Sequence, residues 1–553
     1  MPYANLRQFI EALDAAGELH RVTAPVSPIL EVTEITDRIS KSPAPNLSPH
    51  ARRNDPHHHQ LGGKALLFEN VDGASMPLAI NTFGSYRRVE MALGGIDVGF
   101  DGLGEQIGAI VKPEPPIGLI EKMKKGLELV RLASYAPKIT GSGICQQVVR
   151  TGDEIDLFEL PVIKCWPLDG DPAAFGFPDV SPNTGEGRYI TLGGMYTIHP
   201  DDAGKPEGQP RTSRNIGMYR AQLLSRNTTA MHWHVHHDGA RHWRAWKETG
   251  QPMPLAIAFG GESVLPYAAT APMPPGVSEL LFAGFLNQSA IPLVRCKTID
   301  LHVPANAELV IEGHVSTEAG GPGMSIPDCE SAPGDAFGDH AALEGPFGDH
   351  TGFYSLPDRY PVFTVTAITH RTDPIYPATI VGLPPQEDYY LGKATERIFL
   401  PLLQTIVPDI IDYDLPMFGA FHNCAFVQIK KAYPFHARRI MHAIWGAGQM
   451  SWTKFIVVVD HDVDVHDHEQ VMFHVGANCD PGRDLEIVTG PLDILDHAAP
   501  QMGAGHKMGI DATTKLPTET ANGHAVRPFP ARLSMSEAIR QQVESRWAEL
   551  GLD

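Results

Sequence analysis

The chain has 553 residues, too many for a single hydrophobic core, and its 42% hydrophobic and 20% charged residues are typical of a globular protein with several domains. The formal net charge of −21 argues against nucleic acid as a partner, because a phosphate backbone requires a basic protein surface. The sequence has no signal-peptide pattern and no run of about 20 apolar residues, so we expect no membrane span and a cytoplasmic location.

The N-terminal part of the chain has the pattern of a small α/β domain. The spacing of apolar residues predicts helices over 5–17 and 117–132. Short apolar runs at 64–69 and 77–81 predict buried strands between these helices. We therefore place an N-terminal α/β domain at residues 1–135.

The next part of the chain is rich in predicted strands and poor in helical signals. Alternating or β-rich stretches are separated by turn clusters and predict a mainly β domain, a barrel being the expected form, over 136–355. The predicted strands lie at 146–150, 189–198, 255–259, 293–301 and 308–312. Inside this domain, residues 317–343 are rich in Gly, Pro and Ser without a regular pattern. We expect this inserted loop to be a lid or a subunit contact.

Strands and helices alternate again from about residue 360, which predicts a second α/β domain over 356–530. We expect a strand at Pro361–His370 in this domain. A helix is expected after Gly392, with Pro401 forcing a break or a fresh start, because proline removes a helical hydrogen bond. Residues 531–553 have apolar residues at helical spacing and predict a terminal helix that docks on a neighbouring domain or subunit.

A cluster of four histidines lies at residues 232, 234, 236 and 237. On a strand, the alternation of His232, His234 and His236 would place three imidazoles on one face, which is a geometry that binds zinc or iron. The alternative is a half-buried strand whose histidines pack against Trp233. Spacing alone does not decide between the two.

Two residues just before this cluster have a different chemistry. The amide oxygen of Asn215 is a hard ligand that suits manganese or magnesium. The guanidinium of Arg220 offers a fixed fork of donors that matches a carboxylate. The alternative is an ordinary strand with a surface arginine.

A pair of carboxylates, Glu344 and Asp349, flanks a tight Gly/Pro turn in the segment EGPFGDHTGFY. Such a pair suits acid–base chemistry, because an arginine-paired Glu stays charged while a nearby acid in apolar surroundings can deliver a proton. The alternative is a solvated acidic turn. A partial duplicate, GDH ending at His340, precedes it, and physical arguments alone do not choose between Asp339 and Asp349.

Several standard motifs are absent from the sequence. It contains no phosphate-binding G-x-x-x-x-G-K-[ST] loop and no convincing G-x-G-x-x-G between a strand and a helix. It also contains no G-x-S-x-G elbow and no H-E-x-x-H, which argues against a serine hydrolase and a zincin.

Six segments together carry a resemblance to a known family. They are RYITLGGMYTIHP (188–200), RNIGMYR (214–220), TAPMPPGVSELLFAGFL (270–286), VPANAELVIEGHV (303–315), EGPFGDHTGFY (344–354) and HKMGIDATTK (506–515). In order and spacing the chain resembles the UbiD family of reversible decarboxylases, and it is most similar to the 4-hydroxy-3-polyprenylbenzoate decarboxylase branch. The resemblance implies an α/β plus β fold, with a central split β-barrel that binds flavin between two α/β domains.

The resemblance also implies prenylated FMN as cofactor, held through its phosphate by a divalent metal, usually Mn²⁺, with a potassium site often beside it. By motif, Asn215 and Glu279 match the metal-binding residues, and the third ligand falls at His237 or its neighbour His236. Arg220, Glu344 and Asp349 match the catalytic network, with Asp349 as proton donor and Asp339 in an insertion. Further residues match cofactor-contacting segments: Met218, Tyr219, Arg220, His232, Trp233 and His234.

The expected reaction is the reversible, non-oxidative decarboxylation of an aromatic acid, possible substrates including hydroxybenzoates. Heteroaromatic or acrylic acids are alternatives within the class, and a metal-dependent hydrolase or oxygenase is the alternative outside it. The expected partners are the aromatic acid, CO2, a flavin prenyltransferase as cofactor supplier, and further copies of the chain in a dimer or hexamer. Candidate pocket residues are Pro384–Tyr390 and Phe418–His422, because loops carry function more often than core elements.

Overall fold

The computed structural model of the protein describes residues 2–111, 130–180, 184–206, 209–234, 237–273, 277–318, 341–420, 422–521 and 523–552. Most of the predicted helix at 117–132, most of the predicted insertion at 317–343, Asp339 and His236 lie outside these ranges.

The described α-helices are α1 (Leu6–Ala15), α2 (Glu31–Ser40), α3 (Ala51–Asn54), α4 (Tyr86–Leu93), α5 (Gly99–Val111), α6 (Asp238–Thr249), α7 (Leu265–Ala268), α8 (Glu279–Asn287), α9 (Glu387–Ile406), α10 (His436–Trp445), α11 (His468–Asn478), α12 (Pro481–Asp484) and α13 (Glu537–Glu544).

The described strands are β1 (Leu19–Val22), β2 (Ala65–Phe68), β3 (Leu78–Ile80), β4 (Lys138–Thr140), β5 (Val148–Thr151), β6 (Tyr189–Ile190), β7 (Gly194–Thr197), β8 (Asn215–Met218), β9 (Arg220–Leu223), β10 (Thr228–His232), β11 (Met253–Gly260), β12 (Pro292–Arg295), β13 (His302–Pro304), β14 (Ala307–Val315), β15 (Ala341–Glu344), β16 (Asp358–His370), β17 (Tyr376–Pro377), β18 (Ile410–Asp414), β19 (Cys424–Ile429), β20 (Phe455–Asp460), β21 (Leu485–Pro491), β22 (Ala504–Asp511), β23 (Thr520–Ala521) and β24 (His524–Ala525).

The N-terminal unit packs helices α1 to α5 around a small sheet with the strand order β1-β2-β3-β17. Helix α1 shows why the sequence forms it: the Asn5 side chain accepts a hydrogen bond from the Gln8 N–H at 2.9 Å and caps the first turn. Its apolar face is buried, and Gly17 follows it with a positive φ of 73°. The predicted helix at 5–17 and the predicted strands at 64–69 and 77–81 are confirmed.

The central sheet has ten strands and curls into a half-barrel. Its order is β6-β9-β10-β16-β14-β11-β7-β8, and β15 and β5 also pair with β16. The sequence predicts strand β16 as part of the C-terminal domain, but it pairs antiparallel with β14, β10, β15 and β5 of the central sheet. The alternation of side chains predicts a half-buried strand and carries no information about which sheet the strand joins, which is why that assignment was wrong.

Helix α9 connects the central unit to the C-terminal unit. It is 20 residues long and contains Pro401 without a break. The predicted break at Pro401 is therefore wrong. The proline packs against α5, where a Cβ atom on Gly108 would lie 3.1 Å from the Pro401 Cβ. One turn earlier, a Cβ on Gly104 would lie 2.7 Å from the Arg397 carbonyl oxygen. Two glycines thus let α5 approach α9 closely, and this packing stabilises a helix that a proline alone would disrupt.

The C-terminal unit contains a five-stranded mixed sheet in the order β18-β19-β20-β22-β21, with α10 and α11 against its two faces. Beyond it, every described residue from 531 to 552 is exposed, and α13 buries no side chain. Among the described helices, none combines the length and hydropathy that a bilayer crossing requires.

Candidate active site

The guanidinium of Arg220, the first residue of β9, is the centre of a buried ionic network. Its Nε and Nη2 donate to the two carboxylate oxygens of Glu344 at 2.8 and 3.1 Å. Its Nη1 donates to Oδ2 of Asp349. The cation lies over the ring of Phe347, 4.6 Å from the centroid. The fold therefore brings together the three residues that the resemblance assigns to catalysis, although 124 residues separate Arg220 from Glu344.

The protonation states of this network follow from its geometry. Burial is the largest single effect and raises the pKa of Glu344, but the charge of Arg220 and the hydrogen bonds from Arg220 and His232 together outweigh it and lower that pKa to about 2. Burial opposes ionisation of Asp349 as well, yet the hydrogen bond from His350 and the charge of Arg220 hold its pKa well below the ordinary value. At neutral pH the network is thus one guanidinium between two carboxylates.

His232 ends strand β10 and completes one side of the network. Its Nδ1 lies 2.8 Å from Oε2 of Glu344 and 3.0 Å from Nη2 of Arg220. Burial and the charge of Arg220 lower the pKa of His232, so its imidazole is neutral at neutral pH. Its Nε2 is buried and has no hydrogen-bond partner among the described residues. The ring packs at a tilt against that of Tyr360, with 4.4 Å between the centroids.

The turn that carries Asp349 is fixed by side chains that the sequence analysis missed. Asp169 accepts from the Gly348 N–H at 2.8 Å, and Ser355 Oγ accepts from Arg220 Nη2 at 3.0 Å and from the Phe347 N–H at 3.1 Å. Ser355 directly follows the EGPFGDHTGFY segment, so its position next to that segment could have indicated that it belongs to the site. Asp169 lies in a distant turn, and nothing in its local sequence distinguishes it from a solvated aspartate.

The three candidate metal ligands lie near Tyr219. Asn215 begins β8, and Glu279 begins α8 and accepts from the Ile216 N–H at 3.2 Å. His237 is the N-cap residue of α6, with its ring 4.9 Å from the Tyr219 ring. The Asn215 Nδ2 atom is buried without a hydrogen-bond partner among the described residues, and a flip of the amide would place its oxygen there. An amide, a carboxylate and an imidazole form a donor set that fits a divalent ion such as Mn²⁺.

The histidine cluster does not form the predicted strand face. Strand β10 ends at His232, so the alternation stops before His234. The His234 N–H donates to Nδ1 of His237 at 3.1 Å, and these two rings stack at 4.8 Å. Both rings lie within 6.4 Å of the Trp452 ring of the C-terminal unit. The physical reason is local: the strand pairing with Arg220 ends at His232, and the chain then turns into α6.

The remaining predicted contact residues are Met218, which ends β8, and Trp233, which directly follows β10. Trp233 is fully buried and packs edge-on against Tyr219 at 6.0 Å between ring centroids. The Met218 N–H donates to the carbonyl of Ala269 at 3.2 Å, which fixes the end of β8.

Each of the two predicted pocket loops contributes a charged or titratable side chain on the Asp349 side. The first loop contributes Asp388, whose pKa is raised to about 7 by burial against the opposing charge of His350. The second contributes His422, whose Nε2 lies 2.6 Å from Oδ2 of Asp493. Asp493 in turn faces His350, so the C-terminal unit closes directly over the turn of Asp349.

On this half-barrel an arginine is held between two ionised carboxylates, an arrangement that can support acid–base chemistry. Residues 10–109, 138–384 and 389–512 match the N-terminal, Rift-related and C-terminal domains of 3-octaprenyl-4-hydroxybenzoate carboxy-lyase. The chain belongs to the UbiD family, and it is a carboxy-lyase. The family membership, the fold class and the enzyme class inferred from the sequence are confirmed.

The chain is similar to proteins of known sequence and structure over its full length. An uncharacterized protein of Aquifex aeolicus (strain VF5) is 43% identical over 551 residues, which cover 100% of this chain and 99% of that protein. Vanillic acid decarboxylase of Sedimentibacter hydroxybenzoicus in its closed form has a TM-score of 0.76 at 23% identity, with 100% of both chains covered. An evolved dimeric form of the UbiD-class enzyme HmfF from Pelotomaculum thermopropionicum, in complex with prFMN, has a TM-score of 0.65 at 25% identity and covers 94% of this chain and 97% of that chain.

Proposed function

We propose that this carboxy-lyase catalyses the reversible, non-oxidative decarboxylation of a hydroxylated aromatic acid with prenylated FMN as cofactor. The observation that carries the proposal is the buried network in which Arg220 joins Glu344 and Asp349. Two structural relatives support it, one a vanillic acid decarboxylase and the other an enzyme in complex with prFMN.

Each residue of the network has its own role in the proposed reaction. Prenylated FMN, when bound, supplies the electron sink that an aryl carbon lacks when it loses CO2. Arg220 binds and orients the substrate carboxylate, and Glu344 holds the guanidinium in place through both of its oxygens. A substrate carboxylate beside Arg220 adds negative charge, which raises the pKa of Asp349 and favours its protonation. Asp349 then delivers that proton to the carbon from which CO2 has left.

The cofactor would lie between this network and the candidate metal ligands. Asn215, Glu279 and His237 would hold a divalent ion, which binds the cofactor phosphate. A pocket beside Asn215 is lined by Arg211, Arg214 and other residues, and its positive charge suits an anionic group. Met218, Tyr219 and Trp233 would line the space between the Arg220 network and the candidate metal ligands.

The charges beyond Asp349 favour a hydroxylated substrate. Asp493 lies on that side with its pKa held well below the ordinary value, and its negative charge would repel a second carboxylate on the substrate. A phenolic hydroxyl can donate to a carboxylate and accept from an imidazole such as His422. We therefore favour a hydroxybenzoate-type acid over a dicarboxylic acid.

Two partners follow from this proposal. A flavin prenyltransferase would supply the cofactor, and a second copy of the chain would cover the C-terminal helix. An isolated helix as short as α13 is marginal in water, and its apolar residues Ile539 and Val543, with Trp547 beyond it, are about 40% exposed. We therefore propose that residues 531–553 dock on another subunit of a homo-oligomer.

The test of the proposed function is the identity of the bound cofactor together with turnover. The chain is produced with and without a flavin prenyltransferase, and the ligand extracted from each preparation is examined by absorbance and mass spectrometry. We expect a prenylated FMN mass and release of CO2 from a hydroxybenzoate only after co-production. A colourless protein that is active with zinc or iron and without flavin would instead support a metal-dependent hydrolase or oxygenase.

A further inference from the structure

We infer that Arg214 and His302 form a binding site for a small phosphate-type oxyanion in the pocket beside Asn215. Two sources supply this chemistry, free inorganic phosphate and the phosphate group of a bound flavin. The flavin source rests on the proposed function, whereas the free ion does not.

The pocket lies at the start of β8, where that strand meets β13. Arg211 and Arg214 line it from the segment just before β8, and His302 lines it as the first residue of β13. Its volume is about 230 Å³. Pockets that hold drug-sized ligands measure roughly 300–1,000 Å³, so this one suits a single small group.

Arg214 is a half-buried cation without a counter-charge in contact. In the part of the chain that the structure describes, its guanidinium has no ion pair and no hydrogen bond. Burial and the charge of Arg211 both oppose its charge. Because arginine does not give up its proton in proteins, the charge persists and is poorly solvated. An anion in the pocket would compensate it.

The two carboxylates that favour the charge of Arg214 from a distance, those of Asp202 and Asp300, are each paired with another cation. Asp300 accepts two hydrogen bonds from Nη2 of Arg211, at 3.0 and 3.2 Å. Asp202 pairs with Lys205. These groups neutralise one another in pairs, which leaves the charge of Arg214 in excess.

His302 gives the pocket an imidazole with two unused nitrogens. The residue is 6% exposed, and neither Nδ1 nor Nε2 has a hydrogen-bond partner among the described residues. Burial and the charges of Arg214 and Arg211 lower the pKa of His302 to about 4, so it is neutral at neutral pH and has an N–H to donate. Buried polar atoms are nearly always hydrogen-bonded, so this ring indicates a ligand that the pocket is built to receive.

The charge and the donors together select an oxyanion. A guanidinium has only N–H donors, and Arg214 and Arg211 would repel a cation. The planar fork of Arg214 matches two oxygens of a phosphate, and the N–H of His302 in the same small pocket can serve a third. Water would satisfy the hydrogen bonds but would leave the excess charge uncompensated.

The position of the pocket connects it with the candidate metal ligands. Asn215 lines the pocket too, so an oxyanion bound there would lie beside a residue proposed to hold the divalent ion. A divalent ion with the single carboxylate of Glu279 keeps one positive charge, and a phosphate dianion turns this into one negative charge. The cation of Arg214 would restore neutrality.

The first test measures phosphate binding to the cofactor-free, full-length protein by calorimetry, against sodium chloride of equal ionic strength. We expect Arg214→Gln to weaken phosphate binding at least about 10-fold, because a charge-assisted pair is lost. Arg295→Gln is the matched control and should bind as the wild type does. Arg295 lies 3.5 Å from Asp300 in the same cluster of charges, but its side chain is 58% exposed and does not line the pocket. Equal affinity in wild type and Arg214→Gln would overturn the inference.

Stability in chloride provides a readout that a merely structural role would move in the opposite direction. Since Arg214→Gln removes an unpaired charge, its melting temperature in chloride should equal or exceed that of the wild type. Added phosphate should then raise the melting temperature of the wild type more than that of the variant. Arg214→Lys keeps the charge without the fork and should bind phosphate with intermediate affinity. An Arg214→Gln protein that unfolds well below the wild type in chloride would contradict the inference.

The two sources of phosphate are distinguished with FMN and riboflavin, which differ only in the phosphate group. If the flavin phosphate is the occupant, Arg214→Gln should weaken FMN binding about 10-fold in the presence of Mn²⁺ and leave riboflavin binding unchanged. Inorganic phosphate should then compete with FMN. If the free ion is the occupant, phosphate should bind equally well to the FMN-loaded protein. Binding of neither through Arg214 would exclude the site.

Failure of this site and failure of the proposed function give different results, because phosphate binding is measured without turnover. If the site alone is wrong, the prenyl-FMN-loaded enzyme releases CO2 while Arg214→Gln binds phosphate as the wild type does. If the proposed function alone is wrong, the loaded wild type releases no CO2 from any aromatic acid, and phosphate binding still depends on Arg214.

Discussion

Both carboxylate oxygens of Glu344 accept hydrogen bonds from the guanidinium of Arg220, at 2.8 and 3.1 Å. Such two-point pairing fixes the plane of the guanidinium, which single-point pairing to a lysine would not do. The remaining nitrogen of Arg220 is directed at Asp349, so the orientation of the proposed substrate-binding cation depends on Glu344.

The stability contributed by Glu344 should depend on pH in a defined direction. Its folded pKa of about 2 lies below the unfolded value of about 4.3, so its contribution is full above about pH 5 and is lost as pH falls through 2. A pKa difference of this size corresponds to about 3 kcal/mol. Urea unfolding should show wild type more stable than Glu344→Gln at pH 7, with a gap that narrows between pH 5 and pH 3.

The exposed Glu537→Gln substitution on α13 is the control for this experiment, and its gap to wild type should stay near zero at every pH. A wild-type advantage over Glu344→Gln that is the same at pH 7 and pH 3 would show that the carboxylate is not held ionised by Arg220.

Gly348→Ala should displace the turn that carries Asp349. A Cβ atom on Gly348 would lie 2.1 Å from Cδ1 of Trp166, a rigid ring whose Nε1 donates to the Val381 carbonyl at 2.9 Å. Overpacking of this kind costs about 1–3 kcal/mol, and we expect a lower melting temperature together with a large loss of kcat. Differential scanning calorimetry and a CO2-release assay measure the two effects.

Gly141→Ala provides the matched control, because no atom lies within 4 Å of the Cβ that it would add. This variant should keep wild-type stability and activity. Full activity in Gly348→Ala would mean that the position of Asp349 does not depend on the contact with Trp166.

Removal of a candidate metal ligand should release both the metal and the flavin. We expect Asn215→Ala and Glu279→Gln, purified after co-production with a flavin prenyltransferase, to lose most bound Mn²⁺ and most flavin. The physical reason is that the phosphate anion loses the cation that attracts it once the divalent ion is no longer held. Metal analysis and the flavin absorbance of the purified protein provide the measurement.

Glu248→Gln, at an exposed position of α6, is the control for the metal experiment and should retain both metal and flavin. If Asn215→Ala and Glu279→Gln bind as much metal as the wild type, the ligand assignment is wrong.

The C-terminal helix should be required for assembly. Val543→Asp with Trp547→Asp places two charges on the exposed apolar face, and burying either at a subunit contact is costly. We expect the double variant to have a lower mass than wild type in light scattering. Gln542→Asp should assemble as the wild type does, and equal masses for all three proteins would exclude docking through this face.

The features that could be predicted from the sequence are those that depend on residues close together in the chain. The cap of α1 and the buried strands β2 and β3 are of this kind, so the local residue pattern was enough to predict them. The group of Arg220, Glu344 and Asp349 was predicted by resemblance, and no local pattern indicates that residues so far apart in the chain meet.

The errors and omissions have tertiary causes. Helix α9 passes through Pro401 because glycines of α5 allow close packing, and strand β16 joins the sheet that its hydrogen-bond partners define. His350 lies in the EGPFGDHTGFY segment, but it faces Asp493, which lies 143 residues later in the chain and meets it only in the folded protein. Buried charge networks of this kind leave no periodic signal in the sequence.

The central claim is tested most directly by isotope exchange between labelled bicarbonate and a hydroxybenzoate on the prenyl-FMN-loaded enzyme. We expect wild type to incorporate label into the carboxyl group, and Arg220→Lys and Asp349→Asn to lose at least about 10²-fold of that exchange while retaining flavin. Label incorporated at the wild-type rate by both flavin-loaded variants would contradict the account.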